Sequence, residues 1–354
     1  MGELLSGHTT LRLGGPADRI LTHQDPVTWT DLTRDIHRSP APLYVLGGGS
    51  NTIAADAGFH GTVLRIATHG IQPRTLDDEH VELTVQAGHP LCDLVAFSVA
   101  EGLSGIEYLG GIPGTTGAAP VQNTGAYGQQ MSDTLTRLTA YDWHRGHRVE
   151  LSPVDCDFGY RTSIFKNQPG RWTILTITLV LTRATYAAPV SYPHLADLLG
   201  VPLGVRPPLN EAAHGVLTDR DNRGLSLSTC GPDSRQAGSV FLNPLITGEQ
   251  AQAVRAAGGP VNRSHSGKLR ASAGWLLENI GYRPGTQIAP GVHCSSRRTL
   301  TLTAHHGATS TSFDAALRTL ADRVFSATSI QITPEPRRPS TDTTLHGAVF
   351  PFPG

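Results

Sequence analysis

Two glycine-rich segments carry the residue types best suited to holding a large ligand. The first, Gly47-Gly48-Gly49-Ser50-Asn51, follows the apolar run Leu43-Tyr44-Val45-Leu46. Consecutive backbone N–H groups unobstructed by side chains form an anion-binding concavity, and Ser50 and Asn51 add donors, so this turn could cradle a pyrophosphate. A plain flexible turn is the competing reading. It is not a dinucleotide fingerprint, because Thr52 stands where the third glycine would be, and no P-loop pattern occurs anywhere. The second segment runs from Gly111 through Pro113, Gly114, Gly117, Gln122, Asn123, Gly125, Ala126 and Tyr127 to Gly128. Its two side-chain amides suit the edge of a flat heterocycle, and its glycines let backbone come close. Two such loops suggest one extended ligand, with a structural Ω-loop as the alternative.

Other residues say less on their own. Arg161, between aromatic and small polar residues in DFGYRTSIFK, could fork onto a carboxylate, although a single Arg is more often a solvated surface charge. Ser239 has no G-x-S-x-G around it and no His/Asp partner motif, so triad hydrolysis finds no support. Glu335 sits in the proline-rich stretch ITPEPRRP. The histidines are scattered without H-E-x-x-H, and Cys92, Cys156, Cys230 and Cys294 form no C-x-x-C pair, so neither a metal site nor a disulfide framework is expected. A net charge of -1 argues against a nucleic-acid or anionic-membrane footprint. The N-terminal stretch lacks a signal-peptide pattern and no segment approaches the length of a membrane span, so a cytoplasmic location is expected.

The elements that must position these residues are partly readable. With 354 residues the chain exceeds one ordinary core, so two or three packed domains are expected. Residues 43–46, 62–66 and 81–87 read as extended, and a helix is expected from Pro90 to near Gly102 with Leu91, Leu94 and Val95 inward. The stretch 109–127 is too rich in Gly and Pro for either element and reads as an ordered loop. Trp172 to Leu181 alternates as a strand. A domain boundary is expected inside 184–235. Ala273, Leu276, Leu277 and Ile280 repeat as one helix face stopped by Gly281, and Thr311-x-x-Asp314 resembles a capping box opening a second helix.

Taken together, the segments HTTLRLGGPA (8–17), LGGGSN (46–51), IPGTTGAAPVQNTGAYG (112–128), DFGYRTSIFK (157–166), AGSVFLNP (237–244), SAGWLLENIGYRPGTQI (272–288) and PEP (334–336) resemble the UDP-N-acetylenolpyruvoylglucosamine reductase (MurB) family. The resemblance spans roughly residues 8 to 338. It implies an α+β fold with an FAD-binding part in two lobes of the vanillyl-alcohol-oxidase type and a smaller α+β substrate-binding domain. The divisions expected are 1–68 for lobe one, 69–208 with 331–354 for lobe two, and 209–330 for the substrate domain.

The same resemblance implies that NADPH reduces FAD, which then reduces the enolpyruvyl group of UDP-N-acetylglucosamine enolpyruvate. Arg161 and Glu335 would flank the substrate carboxylate and Ser239 would protonate the α-carbon. Gly47, Gly48, Gly49, Ser50, Asn51, Thr52, Pro113, Gly114, Gly117, Gln122, Asn123, Gly125, Ala126 and Tyr127 would hold FAD. Tyr160, Tyr192, Arg223, Asn243 and Gln287 would bind the UDP-sugar, in a protein slightly favoured to be monomeric. Arg223 stands where many members have Lys, Ala118 and Ala119 where some have a hydroxyl, and Pro336-Arg337-Arg338-Pro339 where the family has an apolar run, so the final strand is expected to be shortened. Two alternatives stay open: a related FAD enzyme acting on another nucleotide-sugar in secondary metabolism, and a flavin-binding protein without turnover.

Overall fold

The computed structural model describes residues 2–39, 41–263 and 267–339. The first lobe is built on a small parallel sheet in which Phe59–Ile66 lies between Ala17–His23 and Leu43–Leu46. Parallel neighbours need a crossover, and the helix Trp29–His37 supplies one. Its Trp29 is buried and packs edge-on to Tyr141, with ring centroids 5.4 Å apart, which locks this lobe onto the next.

The second lobe is an antiparallel sheet ordered His147–Leu151, Leu135–Asp142, Trp172–Arg183, His80–Gln86 and Ile71–Thr75. Its middle strand, Trp172–Arg183, is the alternating stretch seen in the sequence, and Ile177, Leu179 and Leu181 are fully buried in the core. The helix Leu91–Ala100 buries Leu91, Leu94 and Val95, and Pro90 stands at its N-cap rather than inside the first turn. Residues 109–127 form an ordered loop, interrupted by a 3-10 turn at Pro120–Gln122 and a two-residue strand at Gly125–Ala126.

The stretch 184–235, expected to hold a boundary, contains the helices Pro193–Leu199 and Leu209–Asn222. Both pack with Tyr108 and Tyr127 through Leu195, Leu209, Ala212 and Val216. The helix after residue 208 therefore shares its apolar face with the second lobe.

The last unit carries an antiparallel sheet ordered Gln236–Ser239, Thr301–Ala304, Val292–Cys294 and Gln287–Ala289, covered by Ala273–Asn279 and the long helix Ser310–Thr328. Its core gathers Phe241, Leu276, Leu277, Leu302, Phe313, Leu317, Leu320 and Val324, together with Leu11, Leu13 and Ile53 from the start of the chain. The long helix begins earlier than the sequence suggested. Thr309 is its N-cap in a reciprocal box with Ser312, while Thr311 donates its backbone N–H and hydroxyl to Asp56 at 2.8 and 2.7 Å. Asp56 thus adds a carboxylate at the positive end of the helix dipole. Phe313 is completely buried in this core, so Phe313→Ala is expected to cost about 3–5 kcal/mol, read as a lower urea midpoint at unchanged m-value.

The described end of the chain, 330–339, contains no strand but is tied on both sides. Glu335 N–H donates to the Val240 carbonyl and Leu242 N–H to the Thr333 carbonyl, while Arg337 N–H donates to the Asn51 carbonyl and the Arg337 carbonyl accepts from Ile53 N–H. The expected shortening of the final strand thus takes the form of isolated bridges at Pro334 and Arg337. Residues 340–354 of the expected second lobe lie outside the described residues.

Candidate active site

A trough runs along the first lobe and opens into a wide cleft. Its end away from the cleft is mostly apolar, lined by Leu43, Val45, Ile66, Phe165, Trp172 and Ile174, with Arg337 and Arg338 beside them. The middle is formed by Gly47–Thr52 on one side and Ile112–Thr115 on the other. Ser50, Asn51, Ile112 and Pro113 also line the cleft beyond, which has a volume of about 840 Å³, so the spaces are continuous.

The glycines of the trough are there because the two loops touch at backbone distance. A Cβ on Gly48 would lie 3.0 Å from Gly114 Cα, and one on Gly117 would lie 2.4 Å from Ala87 Cβ. Gly49 is in the left-handed region at φ 63°, and a Cβ on it would stand 2.0 Å from the His8 carbonyl oxygen. Any side chain here would fill the space or part the loops. Asn51 donates its side-chain amide to Gln122 Oε1 at 2.9 Å and Ser50 donates its hydroxyl to the Pro113 carbonyl at 3.1 Å, joining the two loops. A long ligand with an apolar end and a charged middle fits this groove: greasy walls, then a side-chain-free turn. FAD has that form.

Asn123, expected at the ligand edge, is turned inward instead. It is buried in a left-handed conformation, and its amide nitrogen donates to Gln130, Ser132 and the Gly159 carbonyl. Gln287 lies exposed on the edge strand of the last sheet, and it is not among the residues that line the cleft. Gly125, Ala126, Tyr127, Tyr160, Arg161, Tyr192, Arg223, Asn243, Ser239 and Glu335 all line the cleft.

Arg161 is a non-glycine residue at φ 55°, a conformation that survives only where surroundings enforce it. Its guanidinium donates to the carbonyls of Gly125 at 2.7 Å and Asn123 at 3.3 Å, and its own carbonyl accepts from Lys166 Nζ at 2.8 Å. Thus anchored, its Nε lies 3.4 Å from Glu335 Oε1. Burial pushes the Glu335 carboxyl above its ordinary range, opposed by Arg161, Lys166 and Arg298. Ser239 ends the edge strand opposite Thr301, one residue before Val240, whose carbonyl holds the Glu335 backbone. Tyr160 stacks with Arg270, whose guanidinium sits 3.9 Å from the ring centroid and also donates to the Asn243 carbonyl at 2.7 Å.

The cleft also holds cations that sequence reasoning passed over: Arg220, Arg297 and Arg298 join Arg223. Burial, then the nearby Arg223 and Arg220, lowers the Arg298 guanidinium to about 10. In sequence, Arg297-Arg298 looks like an ordinary surface pair, and only the fold turns it inward.

Comparison with known proteins fits this geometry. Residues 19–152 match the family described as FAD binding domain, and residues 231–338 match the family described as UDP-N-acetylenolpyruvoylglucosamine reductase, C-terminal domain. The UDP-N-acetylenolpyruvoylglucosamine reductase of Thermobifida fusca is 39% identical over 341 residues, covering 94% of this chain and 95% of that protein. The protein of that name from Streptomyces coelicolor is 39% identical over 338 residues, covering 93% and 87%. The crystal structure of UDP-N-acetylenolpyruvylglucosamine reductase (MurB) from Thermus caldophilus superposes with a TM-score of 0.64 at 25% identity, covering 95% of this chain and 97% of that one. With relatives 39% identical over 94% and 93% of its length, the chain belongs to the UDP-N-acetylenolpyruvoylglucosamine reductase family.

Proposed function

We propose that this chain uses NADPH and FAD to reduce the enolpyruvyl group of UDP-N-acetylglucosamine enolpyruvate, giving UDP-N-acetylmuramate for peptidoglycan synthesis in the cytoplasm. The continuity of the flavin-shaped trough with a cationic cleft containing Arg161, Ser239 and Glu335 carries this reading. FAD, when bound, supplies the hydride acceptor and donor that links NADPH to the alkene.

Hydride delivered to the methylene carbon leaves a carbanion beside the substrate carboxylate. Arg161, pre-anchored by two backbone carbonyls, meets that developing charge with an oriented guanidinium. Glu335, whose carboxyl burial raises, in its protonated form donates its O–H to the substrate carboxylate, which an ionised acid would repel. Ser239 gives its hydroxyl proton to the α-carbon, completing the addition of H⁻ and H⁺ across the double bond. Gly47–Thr52, Pro113, Gly114, Gly117, Gln122, Gly125, Ala126 and Tyr127 hold the cofactor, and Tyr160, Tyr192, Arg223 and Asn243 hold the nucleotide-sugar. We assign residues 1–68 and 69–208, with the C-terminal segment from 331, to the two cofactor lobes and 209–330 to the substrate side, with the helix Leu209–Asn222 packed back on the second lobe.

An anaerobic absorbance titration tests this. The expected sequence is a bound-flavin spectrum, bleaching by NADPH, then rapid reoxidation when UDP-N-acetylglucosamine enolpyruvate is added. Bleaching without reoxidation would transfer the assignment to a different acceptor, and protein without flavin would overturn the cofactor assignment.

A further inference from the structure

In the hydrogen-bond network at the cationic end of the cleft, His194 and Asp219 have no role in the chemistry above. His194, on the helix Pro193–Leu199, places Nε2 at 2.9 Å from an Arg223 guanidinium nitrogen. A guanidinium only donates, so this nitrogen is unprotonated and the imidazole is neutral. The same Arg223 nitrogen lies 3.2 Å from Asp219 Oδ2, and the Tyr127 hydroxyl donates to that oxygen at 2.7 Å. Asp219 Oδ2 is 3.5 Å from His194 Nε2. Arg223 is therefore parked on a neutral histidine and a carboxylate, although it belongs to a cleft built to receive anions.

We propose that His194 is a diphosphate-binding residue of this cleft, charged only when the nucleotide-sugar is bound, and that Asp219 is the positioning residue holding Arg223 ready in its absence. The proposal rests on the nucleotide-sugar reading and deepens it. A proton on Nε2 turns the acceptor into a donor, so Arg223 must leave it, and two cations then face the same space. Without an anion this is unfavourable: burial and Arg223 hold the imidazole below its ordinary value, against Asp219 and Asp197. These groups, with the rings of Tyr127 and Tyr192 at 5.9 and 5.7 Å, are what face it from its own helix, from Leu209–Asn222 and from the second glycine loop. A bound diphosphate reverses the balance by supplying negative charge to both cations. Because the histidine's value is depressed when free and raised when bound, affinity is full below the free value and falls as pH rises through the bound one.

The test uses the flavin-containing protein and UDP-N-acetylglucosamine, a diphosphate diester with no phosphate titration of its own near neutrality. The dissociation constant is expected to rise about fivefold or more from pH 6 to pH 8 in the wild type, within the limit of about tenfold per pH unit for one linked proton. In His194→Gln the rise should shrink to less than about twofold. Asp219→Asn should move the wild-type transition to lower pH. Calorimetry of the wild type in two buffers of different ionisation enthalpy should show fractional proton uptake at pH 7, and it decides the matter even where a variant does not fold. Equal pH dependence in wild type and His194→Gln, or no proton uptake, overturns the proposal while leaving the nucleotide-sugar reading intact. No binding at any pH by folded, flavin-loaded protein overturns both.

Discussion

Ser239→Ala is expected to bleach with NADPH at the wild-type rate and then to reoxidise with the enolpyruvyl substrate about 10²-fold or more slowly, the loss typical of a missing general acid. The split between the two half-reactions matters more than the size of either. NADPH and the enolpyruvyl substrate both react through the same flavin, but only the second needs a proton at carbon. Ser239 lines the cleft and is absent from the lining between the two glycine loops, so its removal leaves that cradle unchanged. Stopped-flow absorbance measures both steps in one preparation. A variant as fast as the wild type in the second half-reaction would remove Ser239 from the mechanism. One slow in both would show that the substitution disturbs the cofactor.

Gly49→Ala should weaken flavin binding by roughly thirtyfold. The new Cβ adopts a left-handed conformation, costing about 1–2 kcal/mol, and would stand 2.0 Å from the His8 carbonyl oxygen, so the turn must move. A loss of about 2 kcal/mol in cofactor affinity corresponds to roughly thirtyfold. Gly146→Ala provides the comparison, because it too has positive φ, at 72°, but nothing within 4 Å of the added carbon. It should cost only the backbone strain, of the order of 1 kcal/mol, and keep its flavin. Stoichiometric flavin in purified Gly49→Ala, with unaltered Tm, would show that the turn tolerates a side chain and that its glycines are not needed for close approach.

Much of the fold was legible because its signals are local. The strand Trp172–Arg183 announces itself by alternation, and Ala273–Asn279 by an apolar face followed by Gly281. The start of the long helix was not, for a physical reason. Thr309, Ser310, Thr311 and Ser312 are all capping residues, and choosing among them depends on Asp56, which takes the N–H groups of Ser310 and Thr311 from across the molecule. The site divides the same way. Glycines forced by close backbone approach were visible, since only their side-chain absence matters. Asn123 and Gln287 could not be oriented, because which way an amide points depends on neighbours such as Ser132 and His293 that the local sequence does not place. Arg220 and Arg298 escaped notice for the converse reason: nothing in a charged residue's own neighbourhood marks it as cleft-facing.

The segment carrying Glu335 has a consequence for how this enzyme can be taken apart. Within three residues it hydrogen-bonds Val240 of the last unit, through Glu335, and Asn51 beside the glycine turn, through Arg337. A chimera that exchanges only the unit from 231 to 329 with a relative would pair a foreign edge strand with the native strap, and the carboxylate would inherit any mismatch. Exchange of modules between homologues should therefore succeed when the strap's partners on both sides travel with it. The two halves of this chain are then heritable as a matched pair rather than as interchangeable parts.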